Sequence, residues 1–289
     1  MIDARLLWVG VSPEKEGVRE GLAGANAEEV VEACELNYID YWRTATSTGE
    51  YSERGGIVRC VTGLPQEIFN VVLYSRLDEG RAEASIDEAM DEFRARRIPM
   101  IWHVGRTTCP PEVSSLLERR GFPHDYDLIA MAADLASLAP FAKSREIEVR
   151  SCDSSDDCDL WAECLASSWD SPPQVSEWMK RNRFFRPGWK GSNRTMYLGL
   201  LGGVPSGALM LFTSRDDVVG LQCVGTVAEA RRQGVGEALV RAGLADARAS
   251  GHKAVVVLST TEGVRLYEKA GFRTFGKLPE HSLYFDRLS

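Results

Sequence analysis

The stretch ARRQGVGEALV, from Ala230 to Val240, puts two glycines directly in front of an amphipathic run. A strand-like segment, VVGLQCVGTV at 218–227, precedes it, and apolar residues at helical spacing follow it until Gly251. The first turn of a helix has unpaired N–H groups at the positive end of its dipole, and glycine lets an anion approach them. The stretch therefore suits a pyrophosphate, although a tight turn with solvated arginines has the same pattern.

The composition limits the classes of protein to which this chain can belong. The 289 residues exceed one ordinary domain, and 44% of them are hydrophobic, enough for a sizeable core. A formal net charge of −8 argues against a nucleic-acid partner, which needs a basic face. The seven cysteines form no CxxC pair, so we expect reduced cysteines and no metal site. Neither a signal peptide nor a membrane-spanning run is evident, which predicts a cytoplasmic protein with no membrane partner.

The C-terminal half is predicted to be a mixed sheet flanked by helices. Gly202-Gly203 marks a tight hairpin, and the crossover through the helix after the glycine turn should make strands 218–227 and 254–258 parallel. The rest of the sheet should be mostly antiparallel. The predicted strands are 194–201, 204–213, 218–227, 254–258 and a final hairpin of 272–277 and 281–286, and the predicted helices are 156–168, 173–183, 234–250 and 261–270.

The N-terminal half repeats part of this order. Strands are predicted at 57–62, 68–76 and 100–104, and helices at 82–97 and 111–120. LLERRGF (116–122) and LYEKAGF (266–272) share the frame Leu, any residue, Glu, a base, any residue, Gly-Phe. We interpret this as an internal duplication with a period of about 150 residues. It predicts two domains, 1–134 and 146–289, joined by a linker at 135–145.

The glycine turn departs from two well-known phosphate loops. The Walker pattern needs a lysine, and the dinucleotide fingerprint needs a third glycine where Leu239 stands. RRQGVG instead resembles the Q/R-x-x-G-x-G/A signature of the GNAT acyl-CoA N-acetyltransferases. LYEKAGF resembles that family's L-Y-x-K-x-G-F segment. The resemblance covers about 146–286 and is much weaker over 1–134.

The resemblance implies acetyl-CoA as co-substrate and acetyl transfer to a primary amine of a small molecule or peptide, by a monomer or homodimer. Backbone N–H groups around the glycines would cradle the CoA pyrophosphate, within the set Arg231, Arg232, Gln233, Gly234, Val235, Gly236, Glu237 and Ala238. The preceding strand should splay from strand 254–258, and its segment Val224, Gly225 and Thr226 should run along the pantetheine. One backbone N–H of this segment would polarise the thioester carbonyl. Thr260 stands where the family often has a pantetheine-binding Asn.

Tyr267 matches the family's general acid. A thiol of pKa about 8.5 leaving beside a phenol of pKa about 10 makes proton donation feasible. A core tyrosine on an amphipathic helix is the structural alternative.

The general base is not evident, because strand 218–227 contains no carboxylate. Asp216-Asp217 and Glu229 flank that strand, and a water chain, His281 or Asp170 are further candidates. Cys223 is expected to be a buried strand cysteine rather than an acyl-enzyme nucleophile, since no His–carboxylate partner is evident.

The N-terminal counterpart of the glycine loop, DEGRAEAS at 78–85, has one glycine and three carboxylates that would repel phosphate. Leu117 stands where Tyr267 does. We therefore predict a degenerate repeat that does not bind acetyl-CoA. The expected fold class is α/β (α+β), with two GNAT-like domains, each a mixed, mostly antiparallel sheet flanked by helices.

Two other functions fit the pattern. The chain could be a non-catalytic acyl-CoA-binding regulatory module, or a transferase that uses another acyl-CoA or acceptor. The aromatic residues upstream of the sheet could line an acceptor cleft or fill the core, and they are Trp161, Trp169, Trp178, Phe184, Phe185 and Trp189.

Overall fold

A computed structural model describes residues 18–46, 50–138, 147–189 and 193–284. Within these ranges the N-terminal half supplies α1 (Ala27–Ala45), β1 (Tyr51–Arg54), β2 (Ile57–Val61), β3 (Asn70–Ser75), α2 (Ala82–Arg96), β4 (Met100–His103), α3 (Val113–Arg119) and β5 (His124–Asp134). The C-terminal half supplies β6 (Ile147–Ser151), α4 (Ser155–Ser168), α5 (Pro173–Arg181), β7 (Arg194–Leu201), β8 (Val204–Thr213), β9 (Val219–Thr226), α6 (Val235–Ala249), β10 (Ala254–Ser259), α7 (Val264–Lys269) and β11 (Arg273–Leu283).

The strands form one continuous sheet in the order β1-β2-β3-β4-β11-β5-β10-β9-β8-β7-β6. The predicted fold class is confirmed: β9 and β10 are parallel, as are β3 and β4, and the other neighbours are antiparallel. The two predicted sheets are joined because each half ends in a strand that pairs inside the other half. β5 pairs with β10, and β11 pairs with β4, while β5 and β11 pair with each other at the centre.

The predicted final hairpin is wrong. Residues 273–283 form the single strand β11, which has β4 on one edge and β5 on the other. Both edges are therefore occupied by N-terminal strands, which leaves no free edge for a hairpin arm. Residues 285 and 286 of the predicted second arm lie outside the described ranges, as do residues 139–145 of the predicted linker. The division into two domains stays a prediction.

The repeated heptapeptide forms the same structure in both halves. Gly121 and Gly271 end α3 and α7 in the left-handed conformation, with φ of 78° and 100°. In each half the N–H of the following phenylalanine donates to the carbonyl of residue 117 or 267 at 3.0 Å. Glycine is required here because this helix ending needs positive φ. The equivalent bonds support the interpretation of an internal duplication.

Helices cover both faces of the sheet. α6 and α7 pack on one face with α2 and α3, and α1, α4 and α5 pack on the other. α1 was not predicted from the sequence. Its start is fixed by a capping box, in which the Glu29 N–H donates to the Asn26 side chain at 3.0 Å and the Asn26 N–H donates to the Glu29 carboxylate at 3.1 Å. α1 lies over the centre of the sheet, against β5, β9, β10 and β11.

No helix in the described ranges is long and apolar enough to cross a bilayer.

Candidate functional site

The predicted phosphate cradle is an exposed turn of residues 231–234 between β9 and α6. Arg232 and Gly234 both take the left-handed conformation, with φ of 62° and 92°. Glycine adopts this conformation without steric cost, whereas an arginine there stores backbone strain. The strained turn presents its backbone to solvent directly in front of a helix.

Two side chains of the turn hold it in place by hydrogen bonds to backbone carbonyls of neighbouring segments. The Arg231 guanidinium donates to the carbonyl of Thr226 at 3.2 Å and to the carbonyl of Ser168 at 2.9 Å. The Gln233 amide donates to the carbonyl of Glu229 at 2.8 Å. These bonds tie the turn to the end of β9 and to the last turn of α4. The structure therefore gives Arg231 and Gln233 a positioning role, and Arg232 is a second exposed cation of the turn.

The start of α6 has the features that an anion site needs. Gly234 occupies the cap position, and no side chain caps the first turn, whereas Ser154 caps α4. The first-turn N–H groups of α6 are thus without a side-chain acceptor at the positive end of the dipole. Glu237 would oppose an anion, but the Arg241 guanidinium one turn later donates to its carboxylate at 2.8 Å. Ala238, the last predicted cradle residue, donates its N–H to the Gly234 carbonyl within the helix.

β9 and β10 part after two residue pairs, as predicted. Val219 and Gly220 pair with Val255 and Val256, and no later residues of the two strands are paired. A bulge helps β9 to turn away: Cys223 has a φ of 53°, and the register with β8 shifts at this point. The half-buried end of β9, formed by Val224, Gly225 and Thr226, is therefore free of β10 and borders a slot between the two strands.

Tyr267 lies on α7 beside this slot. Its side chain is 5% exposed, and its ring packs edge-on against Phe272 with centroids 5.4 Å apart. Burial raises the pKa of the phenol above its usual value, which keeps the hydroxyl protonated at neutral pH. A protonated phenol suits a proton donor, and the same packing fits the alternative of a core tyrosine.

The ends of β9, α6 and α7 meet at Gly236. A Cβ at this position would lie 3.3 Å from Thr226 Oγ1 and 3.3 Å from Leu266 Cδ2. Thr260 follows β10 and is exposed, and its carbonyl accepts the Gly263 N–H at 3.0 Å in the turn before α7. The tertiary structure thus brings together the predicted β9, turn and α7 residues around one slot.

The base candidates are divided by their distance from the slot. Glu229 is exposed and follows β9 directly, whereas Asp216 and Asp217 precede β9, roughly 30 Å of extended chain from its far end. His281 is fully buried and bonds Ser114 at 2.7 Å and the Phe122 carbonyl at 3.1 Å, and burial lowers its pKa. Asp170 lies in the exposed turn between α4 and α5. Asp216, Asp217 and His281 are therefore not placed to take a proton at the free end of β9.

Cys223 is a buried strand cysteine, as expected. Its Sγ lies 3.0 Å from the Tyr41 hydroxyl of α1, and burial raises the pKa of the thiol to about 12. A thiol that stays protonated is a poor nucleophile. The aromatic residues upstream are divided: Trp161, Phe184 and Phe185 are core, while Trp169, Trp178 and Trp189 are partly buried at its margin.

The N-terminal counterpart of the slot is bridged. β3 and β4 also part after two pairs, but the Cys109 backbone then enters the gap. Its N–H donates to the Ser75 carbonyl at 2.9 Å, and its carbonyl accepts the Leu77 N–H at 2.7 Å. The Asp78 carboxylate accepts the Gly80 N–H at 3.2 Å, so an acidic group already faces the loop backbone. Leu117, at the position of Tyr267, is completely buried.

Sequence reasoning missed a buried polar cluster on the α1 face at the centre of the sheet. It contains Glu35, Tyr38, His103, Tyr126 and Glu280. These residues are dispersed along the chain, and only the adjacency of β4, β11 and β5 brings them together. Within the described ranges, no group of three or more His, Cys, Asp and Glu side chains is placed to hold a metal ion.

Comparisons with known proteins agree with this geometry. Residues 158–272 match the family model described as acetyltransferase (GNAT) family. The fold is similar to that of a GCN5-related N-acetyltransferase from Kribbella flavida, with a TM-score of 0.64 and 14% identity over 86% of this chain and 95% of that chain. It is also similar to a GCN5-related N-acetyltransferase from Sphaerobacter thermophilus, with a TM-score of 0.54 and 17% identity over 71% of this chain and 68% of that chain. No curated protein matches the chain by sequence.

Proposed function

We propose that the chain binds acetyl-CoA in the C-terminal slot and transfers the acetyl group to a primary amine, because residues 158–272 match the acetyltransferase (GNAT) family model. The acceptor would be a small molecule or a peptide amine. The observation that carries this proposal is the parting of β9 and β10 in front of the uncapped start of α6. Such a slot admits an extended thiol arm and leaves its phosphates at the helix N-terminus.

Different residues around the slot would act in different steps of the reaction. A backbone N–H at the free end of β9, next to Val224, would stabilise negative charge on the carbonyl oxygen as the amine nitrogen attacks the carbonyl carbon. The carbon–sulfur bond then breaks, and Tyr267 would donate its proton to the departing thiolate. The acceptor starts as an ammonium and loses two protons to water, one before the attack and one after it, while the phenol takes one proton back from water, so the net products are an acetylated amine, CoA thiol and one proton.

We also propose that the N-terminal half does not bind acyl-CoA. The Cys109 backbone occupies the gap that an acyl chain would need, and Asp78 and Glu83 place negative charge where the phosphates would lie. This half instead completes the central sheet through β5 and β4.

The test places at the start of α6 the residue type that α2 has at the same position. Gly236 is the second residue of α6, and Glu83 is the second residue of α2. The Gly236→Glu variant should weaken acetyl-CoA binding about 100-fold or more, because a carboxylate would oppose the pyrophosphate. An acidic residue in the first turn favours the helix, so folding should persist. Gly236→Ala carries the same Cβ without charge and is the matched control. Isothermal titration with acetyl-CoA measures both.

Three results would separate the candidate functions. Wild-type protein that does not bind acetyl-CoA, or a Gly236→Glu variant that binds like Gly236→Ala, would overturn the proposal. Tight binding without release of free CoA from any amine in a broad panel would favour the non-catalytic acyl-CoA-binding module. Faster turnover with propionyl- or succinyl-CoA would favour a transferase for another acyl group.

A further inference from the structure

The buried cluster on the α1 face is built around a His–Glu pair. His103 at the end of β4 lies 2.7 Å, through Nδ1, from Glu280 Oε1 on β11, and both side chains are 0–1% exposed. Burial opposes the charged imidazole, but the adjacent Glu280 and Glu35 raise the pKa of His103 above its usual value. The raised pKa favours the protonated imidazole, and His103 Nδ1 is placed to donate to the Glu280 carboxylate.

Each member of the pair has a second polar atom that is not used. His103 Nε2 and Glu280 Oε2 are buried and have no hydrogen-bond partner among the described residues. Buried polar atoms in proteins are nearly always bonded, so an unused ring nitrogen and an unused carboxylate oxygen on one bonded pair indicate a site for a polar group. An ammonium group with a neighbouring oxygen would satisfy both.

The cluster has an excess of negative charge. Glu35 is fully buried, and it accepts the Arg106 backbone N–H at 3.0 Å and the Thr107 hydroxyl. Gly105 allows this, because any Cβ there would overlap the Glu35 carboxylate. Within the described ranges no Lys or Arg side chain bonds Glu35 or Glu280. Two acidic side chains thus face one imidazole, and buried negative charge is costly unless a cation balances it.

The surroundings of the pair suit an organic cation. The Tyr38 ring lies 5.7 Å from the His103 ring, and Tyr126 on β5 stands opposite Glu280. Both tyrosines are partly exposed, so the carboxylate lies at the base of an aromatic rim that reaches solvent. Aromatic rings attract ammonium groups, more strongly where water is excluded. Glu67, in the segment before β3, and Tyr284 are further titratable neighbours of Tyr126.

Helix α1 connects this cluster with the acyl-transfer slot. Tyr38 touches His103, and Tyr41, one turn later on the same helix, touches Cys223 at the bulge of β9. Val235 at the start of α6 and Tyr267 pack in one core, whereas Cys223 packs in the core on the opposite face with α1, so the proposed acceptor would approach the thioester from the α1 face, where the cluster lies. Glu280 on β11 is two strand spacings from β10, roughly 10 Å. That separation is too long for direct proton transfer from the reacting nitrogen.

We propose that Glu280, with Glu35 and His103, binds a second, non-reacting ammonium group of the acceptor. This inference rests on the proposed acetyl transfer. The preferred acceptor is then an elongated diamine-like molecule, whose reacting amine lies at the slot while its far ammonium lies on Glu280. Glu280 is a specificity-determining residue and takes no part in the bond changes.

The test uses α,ω-diaminoalkanes from three to ten carbons, each compared with the 1-aminoalkane of equal length. Wild-type protein should prefer diamines of one length range over the matched monoamines in kcat/KM, read from release of free CoA. Glu280→Gln should raise the diamine KM about 10-fold or more. The KM values for monoamine and for acetyl-CoA should not change. Glu35→Gln removes the other negative charge and should raise the diamine KM several-fold.

Asp40→Asn is the matched control. Asp40 is a buried carboxylate on the same helix that bonds Arg215 rather than the cluster, so its loss should lower stability and leave the diamine preference intact. Equal kcat/KM for diamines and monoamines in wild type, or an unchanged preference in both Glu280→Gln and Glu35→Gln, would overturn the inference and leave acetyl transfer standing. If no amine is acetylated, calorimetric titration of the diamines into wild type and Glu280→Gln still decides: binding lost in the variant supports the site, and equal or absent binding overturns it.

Discussion

Residues 70–82 and 219–235 each lead from a central strand through a turn into a helix, yet the two turns have opposite surroundings. In the C-terminal turn, β9 bulges at Cys223 and leaves an open gap beside β10. In the N-terminal turn, the Cys109 backbone bonds Ser75 and Leu77 and fills the corresponding gap beside β4. The same strand–helix topology therefore supports a slot in one half and a closed joint in the other.

The comparison separates what maintains the fold from what makes a site. The helix endings at Gly121 and Gly271 share the same backbone bonds, and both flanking phenylalanines are buried. These features are needed by any sequence with this architecture. Among the described residues, the glycine turn and the tyrosine are found in the C-terminal half, whereas the strand before the helix has a register shift in both halves. Function is carried by loops and a few side chains on a common scaffold.

The largest expected effect comes from Tyr267→Phe, which makes the C-terminal half more like the N-terminal one. Loss of the donated proton should reduce kcat about 100-fold or more, while acetyl-CoA affinity stays within about twofold, because the ring packing is kept. Steady-state kinetics and calorimetry measure the two quantities.

Tyr197→Phe is the matched control for that comparison. Tyr197 is a buried tyrosine in the same core, and its hydroxyl donates to Asp246 at 2.6 Å, away from the slot. It should lose about 1 kcal/mol of stability and retain kcat. Similar losses of kcat in both variants would mean that Tyr267 only packs.

A second prediction uses the polar pair that the C-terminal half lacks. Ile101 on β4 and Val256 on β10 hold equivalent positions, since each pairs with the parallel strand before its helix. Two residues after Ile101, His103 pairs with Glu280. Two residues after Val256, Leu258 pairs with Ala130. The pKa of His103 is raised in the folded state, so its stabilising contribution is complete below about pH 6.5 and is lost as the pH rises through the raised pKa. A pKa that is higher by one in the folded state corresponds to about 1.4 kcal/mol of folding free energy.

Thermal unfolding of wild type and His103→Gln between pH 5 and pH 10 measures this contribution. The stability advantage of wild type over the variant should shrink as the pH rises. Glu35, Glu280 and Tyr38 face the imidazole, and none is altered by the substitution. His252→Gln, in the turn after α6, is the control and should leave the wild-type pH dependence in place. A wild-type advantage that stays constant with pH would show that His103 is neutral in the folded protein.

The last prediction is that a charge reversal in the N-terminal turn has no effect on acetyl-CoA binding. Asp78→Lys with Glu79→Lys reverses the charge of the N-terminal turn but leaves the Cys109 bridge, so we expect no gain of acetyl-CoA binding. The substitutions are made in the Gly236→Glu background, where the C-terminal site is disabled. Calorimetric detection of acetyl-CoA binding in this protein would mean that charge alone distinguishes the two turns.

The elements with strong local signals were predicted well. β7 and β8 have the predicted bounds, and α6 and β10 begin and end within one residue of them. Alternation, helical spacing and glycine turns are written into adjacent residues, so they can be read without tertiary information. β5 and β6 were missed, as was α1, whose face carries buried polar residues such as Glu35 and Asn37. Such residues lower the apolar contrast from which a helix is recognised.

The sequence by itself determined the parallel crossover, the glycine start of α6, the position of Tyr267 and the absence of both features from the corresponding stretches of the N-terminal half. All of these depend on neighbours along the chain or on a short repeated frame. The tertiary structure alone decided the exchange of β5 and β11, because an edge strand pairs with whichever partner the whole sheet offers. It also decided the Cys109 bridge and the His103–Glu280 pair, since their partners lie on strands or turns that are distant in sequence and meet only when the sheet has closed.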